Sequence, residues 1–209
     1  MPFRVNTNVA SVFVQKNLST SQSRLEGNFE KLSSGLRINR ASDDAAGLAV
    51  SEIMRAEIKS LRVATRNTAD GINMVQVAEG GLGETTAILS RMRELAVQSS
   101  SSLLQAQERG YLATEFTALQ GEMDRIADTT AFNGLALSSG ANASVDIQVG
   151  QFAAANNRLT VTLQDARSIT LGVDTASAAL TTDVTSQAAI TSIDTALDSV
   201  NTSRASYGA

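Results

Sequence analysis

Cysteine, histidine and tryptophan are absent from this 209-residue chain, and its single proline is Pro2. Without cysteine there is no disulfide, no thiolate metal site and no thiol nucleophile. Without histidine the commonest general base near neutral pH and the commonest metal ligand are missing. Serine and threonine are plentiful, but no G-x-S-x-G elbow accompanies them, so the sequence reads as a protein without catalytic, cofactor or metal residues. Internal proline is absent too, and nothing breaks helices by that route. Aromatic residues make up only 4% of a chain that is 43% hydrophobic, a balance that suits long helices packed on other helices. No apolar run approaches the roughly 18 residues of a membrane span. The short run VASVFV (9–14) is followed by Gln15, Lys16 and Asn17 rather than a small-residue cleavage site, so neither membrane insertion nor a cleavable signal peptide is expected. The net charge of -4 gives no sign of a nucleic-acid partner.

What is present is periodic. Over roughly 6–34, Val14, Leu18, Leu25, Phe29, Leu32 and Leu36 step by 4, 7, 4, 3 and 4, a heptad seam too narrow for one helix to bury alone. Over roughly 44–100, Met54, Leu61, Thr68, Val75, Leu82, Leu89 and Ala96 fall on every seventh residue, predicting a second, longer helix. Gly71, Gly80, Gly81 and Gly83 within it are read as bends or close approaches of a neighbour. A third helix is predicted over roughly 104–129, where Leu112, Phe116, Leu119, Met123 and Ile126 step by 4, 3, 4 and 3. The short turn before it places it antiparallel to the second. The period then shortens. Val145, Ile147 and Val149, then Leu159, Val161 and Leu163, alternate with polar residues and predict a hairpin after the Asn133-Gly134 turn. Ile190, Ile193, Leu197 and Val200 predict a last helix from about 186, still running at Ala209. The fold class is therefore mainly α: an elongated antiparallel helical bundle or coiled coil with a small β-hairpin region.

The loop between the first two helices, INRASDDAAGLAV (38–50), holds Ser42, Asp43 and Asp44 where side-chain oxygens can cap a helix start, and Gly35 where a helix can end left-handed. Capping is the expected role. A metal or acid-base pair has no histidine and no further acidic cluster nearby to support it.

Several stretches resemble bacterial flagellin: LSSGLRINRASDDAAGLAVSE (32–52), TRNTADGINMVQVAEGGLGE (65–84), RMRELAVQS (91–99) and FNGLAL (132–137), with VNTNVAS (5–11) and SVNTSRASYGA (199–209) at the two ends. The resemblance implies a structural subunit of an extracellular flagellar filament, built by packing with other flagellin subunits into a helical homopolymer. It also implies export without a cleavable signal, by way of flagellar export and capping proteins. It assigns 1–34 to an inner-core helix, 35–44 to a connecting spoke, and 45–209 to an outer rod that includes the β-hairpin region, about 138–175, and a returning helix. The projecting domains of longer flagellins are expected to be absent. The chain is expected to be a fragment lacking the C-terminal inner helix. The chosen subunit contacts are Leu18, Leu25 and Leu32 on the seam and Arg37, Asn39, Asp43 and Asp44 on the spoke. Packing within one subunit and packing between subunits both remain open for the leucines. The resemblance further implies a patch for the animal innate immune receptor for flagellin at Arg91, Leu95, Gln98 and Glu115, an arginine beside an exposed leucine. The same face is also a candidate for packing on the next subunit. The alternative reading is a hook-filament junction protein.

Overall fold

A computed structural model describes residues 8–174 and 178–208. The chain forms two compact units, Met1–Lys59 and Ser60–Ala209.

In the first unit, α1 (Val9–Ser34) occupies the predicted seam; residues 6 and 7 of that prediction lie outside the described residues. Asn8 caps its start by accepting from the Ser11 N–H at 3.3 Å, and Gly35 ends it at φ 68°. A residue with a Cβ is strained at that angle, so glycine is the natural stop. The long helix α2 (Ala45–Ser99) begins after the loop. The Asp44 carboxylate accepts from the Gly47 N–H at 2.9 Å, a first-turn cap of the expected kind. Asp43 does something else, described below, and Ser42 makes no capping bond.

In the second unit, α2 runs on to Ser99 beside α3 (Ala106–Thr129) and α4 (Asp183–Tyr207). Both neighbours are antiparallel to α2. Arg109 meets the Ser99 carbonyl while Glu115 meets Arg91; Ser186 meets Ser99 while Asp194 meets Arg93. Helix α3 starts two residues later than the spacing predicts, where Gln105 and Glu108 form a capping box. Helix α4 starts at Asp183 rather than about 186, because Thr182 and Thr185 cap each other's backbone there. It does not run to Ala209. It ends at Tyr207, with the Gly208 N–H bonded to the Arg204 carbonyl; Ala209 itself lies outside the described residues.

Two small antiparallel pairs complete this unit. Strands β1 (Ala131–Phe132) and β2 (Leu135–Ala136) flank Asn133 and Gly134, whose φ angles of 49° and 80° make the tight turn that Asn-Gly favours. Strands β3 (Ser144–Gln148) and β4 (Arg158–Thr162) pair with Val145 opposite Val161 and Ile147 opposite Leu159. Both sit one residue earlier in the chain than the alternation alone predicts.

The core of the second unit is where the heptad pattern is honoured. Leu82, Leu89 and Ala96 of α2 are fully buried with Phe116 and Met123 of α3, Ile193 and Val200 of α4, and Val173 and Leu180 of the connection before α4. Burying each large side chain contributes about 1.5–3 kcal/mol. A smaller cluster, Met74, Ala78, Leu137 and Leu163, seats the β pairs on α2. Gly71 and Gly81 are close-approach positions: a Cβ would meet Ile147 Cδ1 at 2.6 Å and Thr130 Oγ1 at 2.7 Å. A Cβ at Gly80 or Gly83 would meet nothing within 4 Å, and α2 is unbroken helix through all four glycines.

Candidate assembly surfaces

Helix α1 has no buried residue. Leu18, Leu25 and Leu32 are all exposed, Leu32 at 78% of its surface, and Phe13 and Phe29 share that exposure. The spacing 18, 25, 32 repeats by heptads and keeps them on one face. The loop after α1 is organised by ions. Asp43 accepts from Lys31 Nζ at 3.2 Å and from the backbone N–H groups of Asn39 and Arg40 at 3.3 and 3.4 Å. The lysine, then those amides, hold the Asp43 carboxyl below its ordinary value. Arg40 pairs with Glu30 at 2.8 Å, and the Asn39 amide donates to the Glu30 carbonyl and the Ser34 hydroxyl. The loop is thereby tied back onto the last turns of α1. Arg37 is exposed and has no ion-pair partner among the described residues.

The four residues of the second predicted patch lie on α2 and α3. Arg91 Nε and Nη2 both donate to Glu115 Oε1, at 2.9 and 2.7 Å, and Nη1 donates to Glu94 Oε2 at 2.8 Å. Glu94 and then Glu115 raise the Arg91 pKa above its already high value. Gln98 is exposed on the same helix. Leu95 is not: only 1% of its surface is accessible, and it belongs to the core. The expectation of an exposed leucine beside Arg91 is thus corrected. Steps of four and three keep Arg91, Leu95 and Gln98 near one another, but α3 and α4 cover the sector where Leu95 points.

Residues 5–143 match the family described as the bacterial flagellin N-terminal helical region. The chain belongs to the flagellin family. It is 43% identical over 207 residues to a flagellin of Halalkalibacterium halodurans, covering 98% of this chain and 75% of that one. It is 38% identical over 216 residues to the flagellar filament 30.7 kDa core protein of Treponema maltophilum, covering 98% and 76%. The crystal structure of Bacillus cereus flagellin superposes with a TM-score of 0.57 at 31% identity, over 68% of this chain and 81% of that one.

This flagellin is accordingly a structural subunit of the flagellar filament, assembled with other flagellin subunits. The hook-filament junction alternative draws no support from these relatives. Among the described residues no group of three or more acidic residues is placed to hold a metal ion, and no helix is long and apolar enough to cross a membrane.

One feature of this flagellin was not singled out from its sequence. The apolar seam of α2 continues uncovered below the core: Leu61 and Ile72 are half exposed, and Ile72 borders a groove of about 560 Å³ with Val75, Ile147, Leu159 and Tyr207. The signal in the sequence is the place of Ile72, four residues after Thr68 and three before Val75 of the α2 stripe. Its exposure depends on how far β3 and β4 reach along the helix, which no local pattern states.

Proposed function

We infer that this flagellin joins an extracellular helical homopolymer through the apolar face of α1 and the loop that follows. The observation that carries this is the row Leu18, Leu25 and Leu32 on a helix with no buried residue. An apolar heptad stripe is stable in water only when another helix covers it. Arg37, Asn39, Asp43 and Asp44 fix the register of that contact: Asn39 and Asp43 hold the loop against α1, Asp44 caps α2, and Arg37 is left exposed for the neighbouring subunit. In this scheme 1–34 is the inner helix, 35–44 the connector and 45–209 the outer part. The subunit leaves the cell through flagellar export proteins, without a cleavable signal, and meets capping proteins at the growing end. A chain lacking cysteine and internal proline refolds there without disulfide exchange or slow prolyl isomerisation. Leu25→Asp should abolish filaments seen by electron microscopy while leaving thermal unfolding of the second unit unchanged. Normal filament yield from that variant would overturn the reading.

A second reading is favoured by the fixed Arg91–Glu115 pair. A guanidinium held by two carboxylates is preorganised for contact by a partner surface, and with exposed Gln98 it forms a patch for the animal innate immune receptor for flagellin. Leu95 supports that patch from below. Arg91→Ala should lower receptor-dependent reporter signalling by about tenfold or more, with an unchanged melting curve; undiminished signalling would remove the patch from consideration.

A further inference from the structure

We propose that Met54 is a site of reversible oxidation by peroxide, and that one oxygen added to its sulfur keeps the unassembled subunit out of the filament while the core of the second unit stays intact. This rests on the filament reading above and adds a chemical condition to it.

The five methionines hold all the sulfur of this cysteine-free chain. Met1 lies outside the described residues. Met74, Met92 and Met123 are buried in the two apolar clusters of the second unit. Met54, in the first unit, is 56% exposed. A peroxide therefore reaches the Met54 sulfur in the folded chain, whereas it meets the three buried sulfurs only after local opening. The thioether sulfur attacks one peroxide oxygen. An S–O bond forms, the O–O bond breaks, and the other oxygen departs as water. Sulfur gives up two electrons and the peroxide gains them. A dithiol returns two electrons, becomes a disulfide and releases the added oxygen as water.

The position of Met54 gives that oxygen its effect. Val50, Met54 and Ile58 step by four along α2 and share one side of the helix. Val50 and Ile58 are exposed as well, so the three form an apolar stripe in water. Such a stripe loses its water when neighbouring copies pack on it. A thioether suits that contact, being apolar and flexible enough to fill irregular gaps. A sulfoxide does not. It is polar, and burying its oxygen without a donor is unfavourable. The cation next along the helix, Arg55, already donates to Glu52 Oε1 at 2.7 Å. In the free subunit the same oxygen stays hydrated. Oxidation therefore penalises the assembled state and spares the folded one, and a filament already formed shields the sulfur.

The test treats the full chain with hydrogen peroxide, before and after polymerisation, and locates the added oxygen by peptide mass mapping. In the unassembled chain Met54 should oxidise about tenfold or more faster than Met74, Met92 and Met123, and in filaments it should slow by a similar factor. Chain oxidised at Met54 should need about tenfold more protein to associate, by light scattering and electron microscopy, with an unchanged melt of the second unit. Methionine sulfoxide reductases with a dithiol should restore the ordinary threshold. Met54→Leu keeps the stripe apolar and should associate normally with or without peroxide. Oxidation of Met54 no faster than of the buried methionines, equal rates in filament and free chain, an unchanged threshold, a lowered melt, or a peroxide effect that persists in Met54→Leu each overturns the proposal, while filaments of the untreated chain preserve the filament reading. Should Met54→Leu itself fail to associate, the reductase treatment decides, and no recovery overturns the proposal. No association of the untreated chain at any concentration overturns both.

Discussion

At the scale of single residues, neighbouring aspartates divide their work by geometry. Asp44 caps α2 through the Gly47 N–H, whereas Asp43 faces back to Lys31 and two loop amides. Both were legible as loop carboxylates, but only the path of the loop shows which one meets which donor. Asp165 is strongly perturbed. Arg167 donates to it through its backbone N–H, Nε and Nη2, and Thr170 through its hydroxyl. Arg167 first, with Thr170 adding, lowers its pKa from 3.8 to about 2 against a smaller opposing effect of burial. A carboxylate with a depressed folded pKa contributes stability above its unfolded value, and that contribution is lost as pH falls through the folded one. Asp165→Asn should therefore lower the urea midpoint above about pH 4 and flatten the acid-induced loss between about pH 4 and 2. An unaltered slope in that window would show that the clip is not coupled to folding.

At the scale of the element, α2 shows how one sequence pattern meets two environments. The seven-residue repeat is unbroken from Met54 to Ala96 apart from Thr68, yet Leu82, Leu89 and Ala96 are fully buried while Met54 and Leu61 are about half exposed. The repeat specifies a face; it does not specify a neighbour. The helix glycines separate in the same way. Gly80 is exposed with nothing within 4 Å of a new Cβ, so Gly80→Ala should stabilise by about 0.5–1 kcal/mol through helix propensity and the unfolded chain. At Gly81 a Cβ would press on Thr130 Oγ1, which is itself anchored to the Ile126 carbonyl at 2.7 Å. Gly81→Ala should therefore lower the melting temperature while Gly80→Ala raises it. Equal shifts would mean that α3 yields at its end.

At the scale of the whole molecule, the two units differ in what holds them. The second has a continuous apolar core drawn from three helices and the connection between the last two. In the first, α1 buries nothing and is kept by its own hydrogen bonds, its caps and the ion pairs of the loop. Most helical stability in proteins comes from packing an apolar face, which α1 lacks in the single chain, so opening free energies should differ widely. In hydrogen exchange on the unassembled chain, amides of α1 should exchange through local opening and show little protection. Amides of residues 82–96 should exchange only with global unfolding of their unit. Assembly should raise α1 protection most. Uniform protection across both units before assembly would contradict this division.

The sequence by itself determined which residues form helices, where the period shortens to strands, which turns need Asn-Gly or a left-handed glycine, and that the apolar faces are stripes rather than closed shells. Each follows from interactions within a few residues: caps, propensities and side-chain spacing. The family motifs were legible for the same reason, since they lie in continuous runs such as 32–52 and 65–84. Only the tertiary structure decided which portions of those stripes are covered. Leu89 and Leu18 both lie on the apolar stripe of their helix, but Leu89 is enclosed in the core with α3 and α4 and Leu18 faces solvent. Burial is a property of what arrives from elsewhere in the chain, and helix periodicity carries no information about that arrival.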